Sequence, residues 1–90
     1  MKAKLCNNDK LIVTDFGWAI KQLKNGDRVM RLGWNGKNMY LELQYPDSNS
    51  KMTKPYIFIK TAKNDFIPWL ASQEDMLECD WMLYEGWVNR

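Results

Sequence analysis

Ninety residues and 10.7 kDa allow one domain, and an apolar fraction of 46% with 13% aromatics is that of a folded globule rather than a disordered chain. Thirteen basic and eleven acidic residues leave a net charge of +2, too little to argue for nucleic acid or an anionic membrane. There is no histidine, which excludes Ser-His-Asp and Cys-His nucleophilic sites, histidine proton transfer and most zinc sites.

Residues 1–13 read as an N-terminal extension, with a turn at Asn7-Asn8-Asp9 and a short strand at Lys10-Leu11-Ile12-Val13. No apolar segment follows the basic start, so no signal peptide is expected. No run reaches the roughly 18 apolar residues of a membrane span. Thr14 or Asp15 then caps a helix over 15–24, with Phe16, Ala19, Ile20 and Leu23 on one face. Lys21 and Lys24 suit its negative end, and Asn25-Gly26 stops it.

Arg28 to Leu32 reads as a strand ended by Gly33, and Asn35-Gly36 is a strong turn signal. Met39 to Tyr45 alternates, with Met39, Leu41, Leu43 and Tyr45 on one side and Tyr40, Glu42 and Gln44 on the other. A polar connection over 46–55 leads to a strand over Tyr56–Thr61. Lys63-Asn64-Asp65 is a turn, and Ile67-Pro68-Trp69-Leu70-Ala71 is an apolar loop. Ser72-Gln73-Glu74-Asp75 has the pattern of a capping box and opens a short helix over about 73–79. Asp80 to Glu85 closes the chain as a strand, and residues 86–90 form a tail anchored by Trp87.

This order predicts an α+β fold: one small domain over 14–90, an antiparallel sheet of about four strands, one main N-terminal helix and a short second helix. A single helix covers one sheet face. The other face calls for a partner, and oligomerisation is the simplest solution for so short a chain. Cys6 and Cys79 lack a metal-binding or disulfide spacing, so two free thiols in a reducing compartment are expected.

Five tryptophans are many for this length. Trp18, Trp81 and Trp87 read as core or interface residues. Trp34 and Trp69 lie in loops beside polar side chains: Asn35 after Trp34, Ser72 and Gln73 after Trp69. Such an indole is either a structural plug or a platform for a planar base whose edge the amide reads. Arg31 shares a strand face with Val29, where its fork suits either a phosphate or an ion pair. The N-terminus of the second helix offers N–H groups to an anion or is an ordinary cap. Glu74 and Asp75 favour ribose hydroxyls there over a phosphate. No pair of acidic residues has catalytic spacing.

Several blocks occur in order: Phe16-Gly17-Trp18-Ala19, Gly26 to Lys37 with its Gly33-Trp34-Asn35-Gly36 core, Tyr56 to Ala62, Ile67 to Leu77 with Pro68-Trp69-Leu70-Ala71-Ser72-Gln73, and Asp80-Trp81. Together they resemble the small phage proteins of the Thoeris anti-defence 2 family, over roughly residues 14–85. The extension over 1–13 and the glycine-free turn Lys63-Asn64-Asp65-Phe66 depart from the family pattern. The resemblance implies a non-enzymatic sponge without cofactor. It would sequester glycocyclic ADP-ribose, the signal of the bacterial Thoeris system, uncleaved in the cytoplasm of the infected host. It also implies a homotetramer with sites between protomers; some relatives bind cyclic dinucleotides at a separate site. On chemistry at matching positions, Arg31, Trp34, Asn35, Trp69, Ser72 and Gln73 are the expected ligand contacts. The competing readings are a small nucleotide-hydrolysing enzyme and a phage adaptor protein.

Overall fold

The computed structural model describes residues 14–34 and 37–85. The sequence readings at Asn7–Asp9, Lys10–Val13, Asn35-Gly36 and Trp87, and at Cys6, lie outside these residues. Helix α1 spans Phe16–Lys24 and is capped by Asp15, whose carboxylate accepts the N–H of Trp18 at 2.9 Å. Its end is a Schellman turn: Gly26 adopts φ 93°, and the N–H groups of Gly26 and Asp27 donate to Leu23 and Gln22. Five strands follow: β1 (Val29–Arg31), β2 (Tyr40–Gln44), β3 (Tyr56–Lys60), β4 (Phe66–Pro68) and β5 (Trp81–Leu83). Helix α2 (Gln73–Leu77) lies between β4 and β5.

All strand pairs are antiparallel, in the order β4-β3-β2-β1-β5. The α+β architecture therefore holds, with five strands rather than about four. The additional strand is β4, at the residues read as a turn and apolar loop. Ile67 pairs with Ile59 and Pro68 with Phe58 at the sheet edge, where the missing proline N–H costs no internal bond. All three β4 residues are exposed, so no buried alternation marked the strand. Asn64 closes the β3–β4 turn at φ 69°, a left-handed conformation that asparagine tolerates better than most residues. It fills the role a glycine would take.

Paired residues share a sheet face. Val29, Leu41 and Ile59 therefore lie in one row, and with Ala19, Leu23 and Trp81 they form the core beneath α1. On the opposite face, where the alternation places it, Tyr40 is buried. Tyr84 packs on it at 4.7 Å, and the Arg28 guanidinium lies over its ring at 4.4 Å. Burial raises the Tyr40 phenol above its ordinary value, and Arg28 opposes part of that rise.

The segments flanking the core are pinned by backbone bonds. The Trp81 N–H donates to the Thr14 carbonyl, and the Thr14 hydroxyl donates to the Cys79 carbonyl. Cys79 is disulfide-bonded, which corrects the expectation of two free thiols. The compartment argument speaks to redox potential and not to whether the fold lets a cysteine pair, so it had no purchase on this geometry.

Candidate functional site

Trp81 is the hub of an aromatic cluster. It is 1% exposed, and three aromatic rings surround it. Phe16 of α1 lies 5.7 Å away. Trp34, in the turn after β1, meets it edge-to-face at 5.5 Å and 80°. Trp69, after β4, does the same at 6.1 Å and 85°. Such tilted arrangements match the positive ring edge to the negative ring face. Both loop tryptophans are half-buried, with one side in the core and one toward the surface. The N–H of Trp69 donates to the Ile57 carbonyl at 3.0 Å, so the strand pairing of β3 and β4 carries on into the loop.

Beside the rings lies a charged network. Arg31 is 6% exposed. Its Nε and Nη2 donate to Oδ1 and Oδ2 of Asp80 at 2.7 and 3.3 Å, and its Nη1 donates to Oδ1 of Asp75 at 2.9 Å. Glu74, largely exposed, is a more distant ion partner at 3.9 Å. Three of the five guanidinium N–H groups are thus committed to carboxylates. Three carboxylates against one guanidinium leave the cluster net negative. The guanidinium charge that could have offset a diphosphate is already neutralised within the fold.

Asp75 ties the pieces together. Its Oδ1 accepts from Arg31 and also from Trp34 Nε1 at 3.2 Å. Its Oδ2 accepts from the Ser72 N–H at 3.3 Å, and the Ser72 hydroxyl accepts from the Asp75 N–H at 3.0 Å. This is the capping box read in the sequence. The Asp75 carbonyl accepts from Trp81 Nε1 at 3.0 Å. Burial pushes the Asp75 carboxyl up, but bonds from Arg31, Trp34 and Ser72 outweigh it and hold the group below the usual carboxylate range. Asp80 behaves alike: burial raises it, and Arg31 with the Gly33 N–H brings it below the ordinary value.

Gly33 explains itself sterically. Its N–H donates to Asp80 Oδ2 at 2.9 Å. A Cβ there would stand 2.9 Å from that oxygen and 3.1 Å from Arg31 Nη2. Only glycine lets the turn lie this close to the ion pair.

The fold gathers Arg31, Trp34, Trp69 and the start of α2, with Ser72 and Gln73, around Trp81 and Asp75. Ser72 and Gln73 are exposed at the start of α2. Asn35 lies outside the described residues. Both Asp75 oxygens are engaged internally, so this carboxylate does not suit ribose hydroxyls in the way its position suggested; Glu74 is the exposed acid of the pair. Asp75 was read from sequence only as an acid suited to ribose hydroxyls, and neither Asp80 nor Gly33 was among the expected ligand contacts. The capping-box pattern held a signal for Asp75, since the N3 side chain of such a box turns back toward the helix start. Among the described residues no cluster of histidine, cysteine, aspartate or glutamate could hold a metal ion. Among them, too, no helix is long and apolar enough to cross a membrane.

Comparison with known proteins bears on this arrangement. The family model of the Thoeris anti-defense 2-like domain matches residues 14–84. A protein described as Thoeris anti-defense 2, from Bacillus phage SP01, is 42% identical over 79 residues. The match covers 73% of this chain and 89% of that relative.

Proposed function

The chain belongs to the Thoeris anti-defense 2-like family, and on that premise we propose that it is a phage anti-defence protein that binds and sequesters glycocyclic ADP-ribose without cleaving it. The Thoeris effector is then deprived of its signal in the cytoplasm of the infected host. The observation that carries this reading is the pair of half-buried indoles, Trp34 and Trp69, flanking one buried tryptophan. Base and ribose pack against them. Asn35, Ser72 and Gln73 supply directional hydrogen bonds, and Arg31 stands behind Trp34. The net-negative charge around Arg31 favours the uncharged parts of the ligand beside it and keeps the diphosphate away. The working form is a homotetramer.

The test is to incubate the protein with glycocyclic ADP-ribose, remove free ligand and then denature the protein by heat. Intact signal in the supernatant supports sequestration. An altered product supports a nucleotide-hydrolysing enzyme, and no retained ligand favours an adaptor. Base–aromatic stacking is worth about 1–3 kcal/mol. Trp69→Ala and Trp34→Ala should therefore each weaken binding roughly 5- to 150-fold in calorimetric titration of folded protein. Parent-like affinity in both variants would remove these tryptophans from the site.

A further inference from the structure

A tryptophan side chain has one polar handle, its indole N–H. In a loop that handle is ordinarily left to water, and the ring samples several rotamers. Trp34 is different. Its N–H is held at 3.2 Å by Asp75 Oδ1, an oxygen that Arg31 Nη1 fixes from another side at 2.9 Å. The ring rests edge-to-face on Trp81, and Trp81 donates its own N–H to the same residue's carbonyl. Asp75 is 9% exposed and belongs to a helix whose first turn it closes. The turn carrying Trp34 is latched a second time, because the Gly33 N–H binds the carboxylate of Asp80 that Arg31 grips with two bonds.

We infer that Asp75 and Arg31 are positioning residues: they set the plane of the Trp34 indole before ligand arrives, and neither touches the bound signal. This rests on the reading of Trp34 as a wall of the ligand site. The geometry turns both residues toward partners inside the fold rather than toward a ligand. Both oxygens of Asp75 have donors, and Arg31 is buried with its charge more than offset. A wall residue ordered in advance spares the ligand the cost of ordering it. For one side chain that is about 2- to 12-fold in affinity.

The experiment is a cycle of the full chain, Asp75→Asn, Trp34→Phe and the double variant. Asparagine offers one acceptor oxygen where three donors converge, and phenylalanine keeps an aromatic wall without the N–H. Each protein is titrated calorimetrically with glycocyclic ADP-ribose. The Trp34 indole N–H resonance, assigned by its loss in Trp34→Phe, is followed by 15N-edited NMR without ligand. Asp75→Asn should shift that resonance and weaken binding about 2- to 12-fold in the parent. It should cost nothing further in the Trp34→Phe background. Losses that multiply, or an indole resonance that stays in place, overturn the inference. Should Asp75→Asn fail to fold, Arg31→Lys takes its place in the cycle, keeping the charge but not the fork that steadies the Asp75 oxygen. A parent that binds no signal refutes the sequestration reading instead. The unliganded resonance then decides alone whether Asp75 orients Trp34.

Discussion

Replacing Arg31 with methionine keeps most of the buried stem and removes the charge. Asp75 and Asp80, whose side chains are 13% and 26% exposed, then lose the cation that neutralises both. Breaking a buried ion pair from one side costs about 3–5 kcal/mol, because the remaining charge is stranded. A ninety-residue domain has roughly 5–13 kcal/mol in total, so Arg31→Met should lose a large share of its stability at pH 7. The melting temperature should fall by about 12 °C or more, at 4–8 °C per kcal/mol for a chain of this size.

The pH dependence makes the prediction specific. In the parent both carboxyls are held below their ordinary values. Their contribution is complete above the unfolded carboxylate pKa of about 3.9, and it is lost as pH falls through the lower folded values. In Arg31→Met, burial acts without the guanidinium to oppose it, so both groups take up protons more readily and acid relieves the stranded charge. The stability gap between parent and variant should therefore be wide at pH 7 and narrow at pH 3. Urea unfolding followed by far-UV circular dichroism at both pH values, at one fixed protein concentration, measures it. A loss below about 1 kcal/mol at pH 7, or an equal gap at pH 3, refutes the account of Arg31 as a buried structural cation.

Gly33→Ala pushes a methyl group to 2.9 Å from Asp80 Oδ2, an oxygen that two donors hold in place; overpacking of this kind costs about 1–3 kcal/mol, read as a lower urea midpoint. Ser72→Ala removes the hydroxyl half of the capping box and should cost about 1 kcal/mol. Because Ser72 is exposed, the same variant should bind glycocyclic ADP-ribose more weakly in calorimetry if its hydroxyl also serves the ligand. Multi-angle light scattering at micromolar concentration should give a mass near four chains; a mass near 10.7 kDa would refute the tetramer.

Those elements whose signals are local could be read from the chain itself. The α1 face, its Asn25-Gly26 stop, the alternation of β2 and the capping box of α2 all follow from spacings of a few residues. Strand β4 could not be read this way, because it is short, exposed and defined only by pairing with β3. The role of Arg31 was equally hidden. Its carboxylate partners lie 44 and 49 residues further along the chain, so sequence alone left its fork open to a phosphate or an ion pair. Tyr40 was assigned to the correct face, but its cover was not legible, since it comes from Tyr84 and Arg28 of other segments.

The sheet order carries a consequence for how the chain is made. β1 receives one neighbour from β2 and its other neighbour only from β5, where Val29 meets Leu83. At about 5–20 residues per second, a ribosome that has finished Val29 takes roughly 3–11 s to reach Leu83. Until β5 pairs, β1 is an open edge, and the place of Trp81 in the core is empty. The first helix and the four strands β1 to β4 thus form an unfinished sheet that β5 must close. Pairing partners so far apart in sequence slow folding and prolong the exposure of an unprotected edge. Any nascent chain stopped before residue 81 lacks both the closing strand and the ring on which the other tryptophans rest, so premature termination yields an aggregation-prone fragment rather than a smaller working domain.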